Sequence, residues 1–220
     1  MALISKLRAV DRLPRRLCQL YAGLTLYGVS LAMQVEATLG LDPWDVFHQG
    51  VSKQTGISLG WIVNIVGALV LLLWIPLRQR PGLGTISNVL VIGTVTDLTL
   101  PLLPTPDDFS ARWALLIAAV VLNGMATGLY IGARLGPGPR DGLMVGLAAR
   151  GWSIRWARTL VEITVLVIGF LLGGTVGAGT IVYALGIGPL SQLFLQLFTV
   201  PESRTPTDSG REAALSSKSA

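Results

Sequence analysis

The chain has 220 residues, 51% of them hydrophobic and only 13% charged, with a mean hydropathy of +0.63 and a formal net charge of +5. A soluble domain carries about 25% charged residues, so this composition excludes an ordinary soluble enzyme and points to an integral membrane protein. The basic balance fits loop charge of a multi-span protein rather than a nucleic-acid footprint, and a single cysteine (Cys18) with a single histidine (His48) excludes a disulfide framework, a thiolate cluster or a multi-histidine metal site.

Residues 1–16 form a basic segment, with Lys6, Arg8, Arg12, Arg15 and Arg16 ahead of an apolar run at 17–37. Such a start resembles a signal peptide, and Ser30-Leu31-Ala32 offers a weak cleavage pattern. The run corresponds, however, to residues 113–133 of the second half, with Gly28 aligned on Gly124, and is read as a retained first span. About 20 apolar residues at about 1.5 Å each cross a hydrocarbon core of about 30 Å. Stretches of that length lie at 17–37, 58–77, 85–103, 113–133, 154–173 and 180–198. The first membrane repeat therefore occupies 17–103, an external linker 104–112, and the second repeat 113–199. The tail from 200 to 220, rich in Ser, Thr, Pro and charge, is expected to be disordered.

The two halves share a sequence. Leu39-Gly40-Leu41-Asp42-Pro43-Trp44-Asp45 returns as Leu135-Gly136-Pro137-Gly138-Pro139-Arg140-Asp141, and Gly50 returns as Gly146. After a one-residue deletion, Gly56, Ser58 and Trp61 return as Gly151, Ser153 and Trp156, and Gly82-Leu83-Gly84-Thr85-Ile86 as Gly177-Ala178-Gly179-Thr180-Ile181. With the N-terminus in the cytoplasm, 15 of the 17 Lys and Arg fall on that side, only Lys53 and Arg112 outside it. This bias predicts both termini in the cytoplasm. Three spans per half then make the halves enter in opposite directions, an inverted repeat with its axis in the membrane plane. The expected fold is an all-α polytopic membrane protein of six transmembrane helices, each three-helix repeat carrying a short re-entrant or interfacial half-helix.

Those short segments run from Pro43 to about Gln54 and from Pro139 to about Arg150. Proline suits the first helical position, and Asp45 and Asp141 follow where a carboxylate can accept free backbone N–H groups; Asp42 can serve as N-cap. The segments either dip from opposite faces to form a central site or lie along the interface as capped helices. Trp44 and Arg140 share one repeat position but differ in chemistry, so a site here is asymmetric; Trp44 fits an outer interfacial anchor and Arg140 a cytoplasmic charge. Gly82-x-Gly84-Thr85 and Gly177-x-Gly179-Thr180 open the third span of each half, either as tight turns with threonine caps or as exposed N–H groups holding an anion. Gly124, Gly128 and Gly132 make a small-residue packing face, within the bundle or between copies as a homo-oligomer contact.

Two ionisable side chains sit at membrane depth. Glu162 follows Arg158 by four residues and can pair with it locally, and Asp97 either faces a cavity or lies near the outer interface. Asn64, Asn88, Asn123, Gln34, Tyr27, Tyr130 and Tyr183 are expected mostly to tie helices together. The P-loop, G-x-S-x-G and H-E-x-x-H patterns are absent, and His48, placed at the outer surface, leaves no base for an intramembrane nucleophile, so no enzyme and no cofactor are expected.

The runs at 40–50 (Gly-Leu-Asp-Pro-Trp-Asp-Val-Phe-His-Gln-Gly), 55–60 (Thr-Gly-Ile-Ser-Leu-Gly) and 74–85 resemble the YczE/YyaS/YitT family of bacterial membrane proteins. The resemblance covers about residues 15–198, is most specific in the first half, and implies a polytopic inner-membrane protein without assigning an activity. YitT-type members often carry a soluble C-terminal domain, where this chain ends in a short polar tail. The expected function is a small secondary transporter or exporter working in the lipid bilayer on a small solute. A passive channel, or a non-transporting adaptor binding a partner at the basic cytoplasmic face, are the alternatives. The residues expected to bind solute or ion are Trp44, Asp45, Gly84, Thr85, Asp97, Arg140, Asp141, Glu162, Gly179 and Thr180.

Overall fold

The computed structural model describes residues 13–200, and among these the chain is helical throughout, with no strand. The expectations for the first twelve residues and for the tail from Pro201 fall outside the described residues. Six long helices stand where apolar length predicts them: α1 (Leu13–Ala37), α3 (Leu59–Leu77), α4 (Leu83–Thr99, continued by a 3₁₀ turn Leu100–Leu102), α5 (Phe109–Gly132), α7 (Ile154–Leu171) and α8 (Ala178–Phe198). Two short ones, α2 (Pro43–Thr55) and α6 (Pro139–Ala148), lie between them. Four helices, α3, α4 with its turn, α5 and α8, are long and apolar enough to cross a membrane. α1 carries Gln19, Gln34 and Glu36, and α7 carries Arg155, Arg158 and Glu162, which lowers their apolarity without shortening them. Large side chains such as Leu69, Leu72, Ile75, Phe170, Leu171 and Leu185 stand exposed along the outside, a surface that water would penalise and lipid tails would not.

Local chemistry sets the helix ends. Asp42 caps α2, its Oδ1 accepting from Trp44 N (2.8 Å) and Asp45 N (2.9 Å), with Pro43 at the first position and Gly56 closing the helix at φ 72°. Asp108 does the same for α5 through Ala111 N (3.1 Å); the Ser110 hydroxyl and this N–H hold its carboxyl below the usual range. At α4 and α8 the N-cap is glycine, Gly82 and Gly177, and Thr85 and Thr180 accept the cap N–H groups at 3.2 and 3.3 Å.

α1 and α5 pack along their length at the centre, flanked by α4 against α1 and α8 against α5. The short helices cross over: α2 packs on α7 of the other half, and α6 on α3. The preceding turns cross as well. Leu39 O accepts from Gly179 N (2.7 Å), and Leu135 O accepts from Gly84 N (2.8 Å), so each half's turn is sewn to the opposite half's third long helix. Gly40 (φ 116°) and Gly136 (φ 127°) permit this, since a side chain at either would be strained and would press on Gly177 N at 2.6 Å or Thr85 Oγ1 at 2.8 Å.

One relation breaks the correspondence. α3 and α4 are zipped together: Gly60 and Gly93 bring their backbones so close that a methyl on either would overlap the other's carbonyl oxygen. The equivalent pair, α7 and α8, barely touch, and Gly188, the counterpart of Gly93, faces open space. The Gly124, Gly128 and Gly132 face is covered inside the chain by Leu190, Phe194 and Phe198 of α8, so it is an intramolecular seam rather than a free surface for a second copy.

Candidate functional site

α2 and α6 meet at their N-terminal turns. Trp44 packs with Leu143 and Val70, and the Arg140 side chain reaches from α6 across to α2. Its guanidinium lies with Nη2 3.4 Å from Asp45 Oδ1, Nη1 3.8 Å from Asp42 Oδ1, and its carbon 5.0 Å from the centroid of the Trp44 ring. His48 Nδ1 lies 2.9 Å from the same Asp45 oxygen. On the other wall the Tyr130 hydroxyl donates to Asp141 Oδ2 (3.0 Å) and Tyr130 meets Tyr27 edge to face, 6.3 Å between centroids. Trp74 Nε1 donates to Pro139 O (3.0 Å), fixing the first turn of α6.

These groups surround a cavity of about 340 Å³, near the lower end of volumes that hold small ligands. Its lining comes from corresponding positions of the two halves. Trp44 corresponds to Arg140, Asp42 to Gly138, His48 to Met144, Val63 and Gly67 to Arg158 and Glu162, and Asn88 to Tyr183. The backbone plan is shared, and the side chains are not. Beyond the cavity, Tyr183 donates to Asn123 Oδ1 (3.0 Å) and Asn123 Nδ2 to Ser30 Oγ (2.8 Å), a buried polar chain between α8, α5 and α1.

Of the residues singled out from sequence, Trp44, Arg140, Asp141 and Glu162 line the cavity, and Asp45 stands directly behind it on Arg140 and His48. Trp44 is buried, so it is not an outer interfacial anchor, and Arg140 is an internal bridge rather than a loop charge, because each finds a partner in the other. His48 is likewise buried, held by Asp45, rather than placed at the outer surface. Asp42 is the carboxylate that binds the α2 N–H groups, which leaves Asp45 for Arg140 and His48. Glu162 pairs with Arg158 (2.8 Å) as their spacing predicts.

The other candidates lie elsewhere. Asp97 caps α3 from α4, accepting from Gly60 N (2.7 Å) and the Ser58 hydroxyl (2.5 Å). Gly84, Thr85, Gly179 and Thr180 belong to the crossed turns; their N–H groups are bound to protein carbonyls and Thr85 donates to Pro137 O (2.7 Å), so the tight-turn reading holds and no anion cradle is open there. Asp42, His48, Asn88, Tyr27, Tyr130 and Tyr183 are cavity residues that sequence reasoning passed over as caps, surface or ties. A signal existed in the repeat itself, since Asn88 and Tyr183 occupy one position of it. Among the described residues no cluster of three or more metal-ligating side chains occurs.

A family model described as "Family of unknown function (DUF6198)" matches residues 14–196. The chain belongs to this family. It is 40% identical over 175 residues to an uncharacterized protein of Haemophilus influenzae, covering 79% of this chain and 80% of that one. It is 35% identical over 187 residues to the uncharacterized membrane protein YczE of Bacillus subtilis (83% and 84% covered), and 26% identical over 182 residues to YyaS of the same organism (80% and 90%). The YczE/YyaS resemblance thus holds, and with the apolar helices it makes this a multi-pass membrane protein. No solved structure matches the chain.

Proposed function

We propose that the protein is a small secondary transporter of the bacterial inner membrane, not an enzyme, with both termini cytoplasmic and with α2 and α6 as re-entrant half-helices of two inverted three-helix repeats. The observation that carries this reading is one cavity, lined by equivalent positions of both halves, beside two equivalent helix pairs in different states. α3 and α4 are shut against each other, and α7 and α8 stand apart, with Arg158 and Glu162 of α7 and Tyr183 and Ser191 of α8 lining the cavity beside that opening. In an inverted repeat, exchanging the two states moves the opening to the other membrane face, which is alternating access around a fixed site. The charge bias supports the orientation even with Arg140 and Arg158 set aside as cavity residues, and the crossed turns supply a frame on which the pairs can rock.

Cysteine pairs test it in a Cys18→Ser background. Ser58 and Asp97 touch across the shut pair, and Ser153 and Gln192 are their equivalents on the open one. Alternation predicts that Ser58→Cys with Asp97→Cys, and Ser153→Cys with Gln192→Cys, each cross-link in native membranes, in separate molecules. A 153/192 pair that never cross-links, while 58/97 does so completely, would mean a static protein and would exclude the transporter in favour of a passive channel or an adaptor.

A further inference from the structure

The charges around the cavity do not cancel. Asp42, Asp45, Asp141 and Glu162 are set against Arg140 and Arg158, and Arg158 is already paired with Glu162. Arg140 is left to serve three carboxylates, and Asp141 is met by the neutral hydroxyl of Tyr130. Protonation of His48 would still leave the group negative. Arg140 does not lock onto its partners: 3.4 and 3.8 Å exceed the roughly 2.8 Å of a tight charge-assisted bond. Asp42 lines the cavity at 2% exposure, yet its Oδ2 has no hydrogen-bond partner.

Four aromatic rings, Tyr27, Trp44, Tyr130 and Tyr183, line the cavity together with aliphatic side chains such as Val63, Val70 and Ile92. Carboxylates beside ring faces recognise ammonium groups. The positive ends of α2 and α6 would favour an anion, but the first N–H groups of α2 are occupied by Asp42, where an anion would meet the free Asp42 oxygen, and at the uncapped start of α6 it would meet the Asp141 carboxylate, which lines the cavity from the first turn.

We infer that the cavity binds a small monovalent organic cation, a quaternary or protonated amine, in the place that the Arg140 guanidinium holds between Asp42, Asp45 and the Trp44 ring. Arg140 is a tethered competitor. Attached to the chain, it fills the cation place when the cavity is empty at a high effective concentration, and an entering ammonium displaces it. The inference rests on reading the cavity as the solute site.

Titration calorimetry on the full chain in detergent, with choline, glycine betaine and acetate as probes, tests it without requiring transport. Choline is expected to bind the unmodified protein, acetate not, and betaine at least tenfold more weakly than choline. Arg140→Gln should tighten choline about tenfold, and Arg140→Lys, which keeps the competitor, should not. Asp42→Asn keeps an oxygen for the α2 cap and should weaken choline at least tenfold. If Arg140→Gln fails to give a monodisperse protein, Trp44→Leu replaces it, with choline weakened at least fivefold. Acetate or betaine binding better than choline, or choline affinity indifferent to Asp42→Asn and Trp44→Leu, would overturn the assignment. Choline binding as described without cysteine-pair alternation would leave the site standing and remove transport; alternation without choline binding would do the reverse.

Discussion

The two short helices both start at a proline with an aspartate two positions on, and end in different work. α2 has its first turn bound by the Asp42 carboxylate, whereas α6 begins at Gly138 with no side-chain cap and is held instead by Trp74 through Pro139 O. The packing beneath them is exchanged too. Trp74 on α3 fits over Gly142 of α6, and at the equivalent place Gly169 on α7 lets the α2 backbone at Val46 and Phe47 come close. A large residue on the long helix meets a small one on the short helix in one half, and the sizes reverse in the other. The two halves therefore share turns and the order of their helices, where backbone geometry decides, and differ in the side chains facing the cavity and its supports.

This comparison can be broken at several depths. The largest effect is expected at the zipped pair: Gly60→Ala places a methyl on the Gly93 carbonyl, and should cost about 3 kcal/mol or more of stability in detergent, or all folded yield, while Gly188→Ala on the open pair stays within about 0.5 kcal/mol. Thermal unfolding followed by size-exclusion recovery reads both. Next come the crossed turns. Gly40→Ala and Gly136→Ala each force an unfavourable positive φ and a close contact, and should cost a similar amount, about 2 kcal/mol, by the same measurement; a large difference would show that the halves are not equivalently sewn. Trp74→Phe removes the donor to a buried carbonyl and shrinks the ring, at about 2 kcal/mol, and should expose α6 but not α2 in amide hydrogen exchange. Smallest is Glu162→Gln, whose partly exposed pair with Arg158 supports α7 by no more than about 0.5 kcal/mol, so its melting curve should overlay that of the unmodified protein.

Much of the frame was legible in the sequence because it depends on local or periodic signals. Apolar length gave the six long helices to within a few residues, proline at 43 and 139 marked the short ones, and the spacing of Arg158 and Glu162 predicted their pair. The site was less legible, since its contacts are distant in sequence and depend on how the halves interlock. Trp44 looks like an interface residue until Arg140, 96 positions later, is brought over its ring. Asp97 looks like an isolated membrane carboxylate until Gly60 brings a helix terminus beneath it. The amides of Gly84 and Gly179 look available for an anion until carbonyls from the opposite half fill them. In each case the residue type was noticed and the partner could not be, because hydropathy and spacing report on one helix at a time.

The crossed turns also order the protein's birth. The bond from Gly84 N to Leu135 O closes across 51 residues, and that from Gly179 N to Leu39 O only across 140, when nearly all of the second half has been made. Until that second bond closes, the Leu39 carbonyl is without the N–H that binds it in the finished fold. The first three long helices therefore wait as an unfinished unit, and contacts of such long reach form late. Co-expressing residues 1–106 and 107–220 as separate chains should restore a folded protein where neither half alone resists proteolysis, because each half carries the other's last stitch.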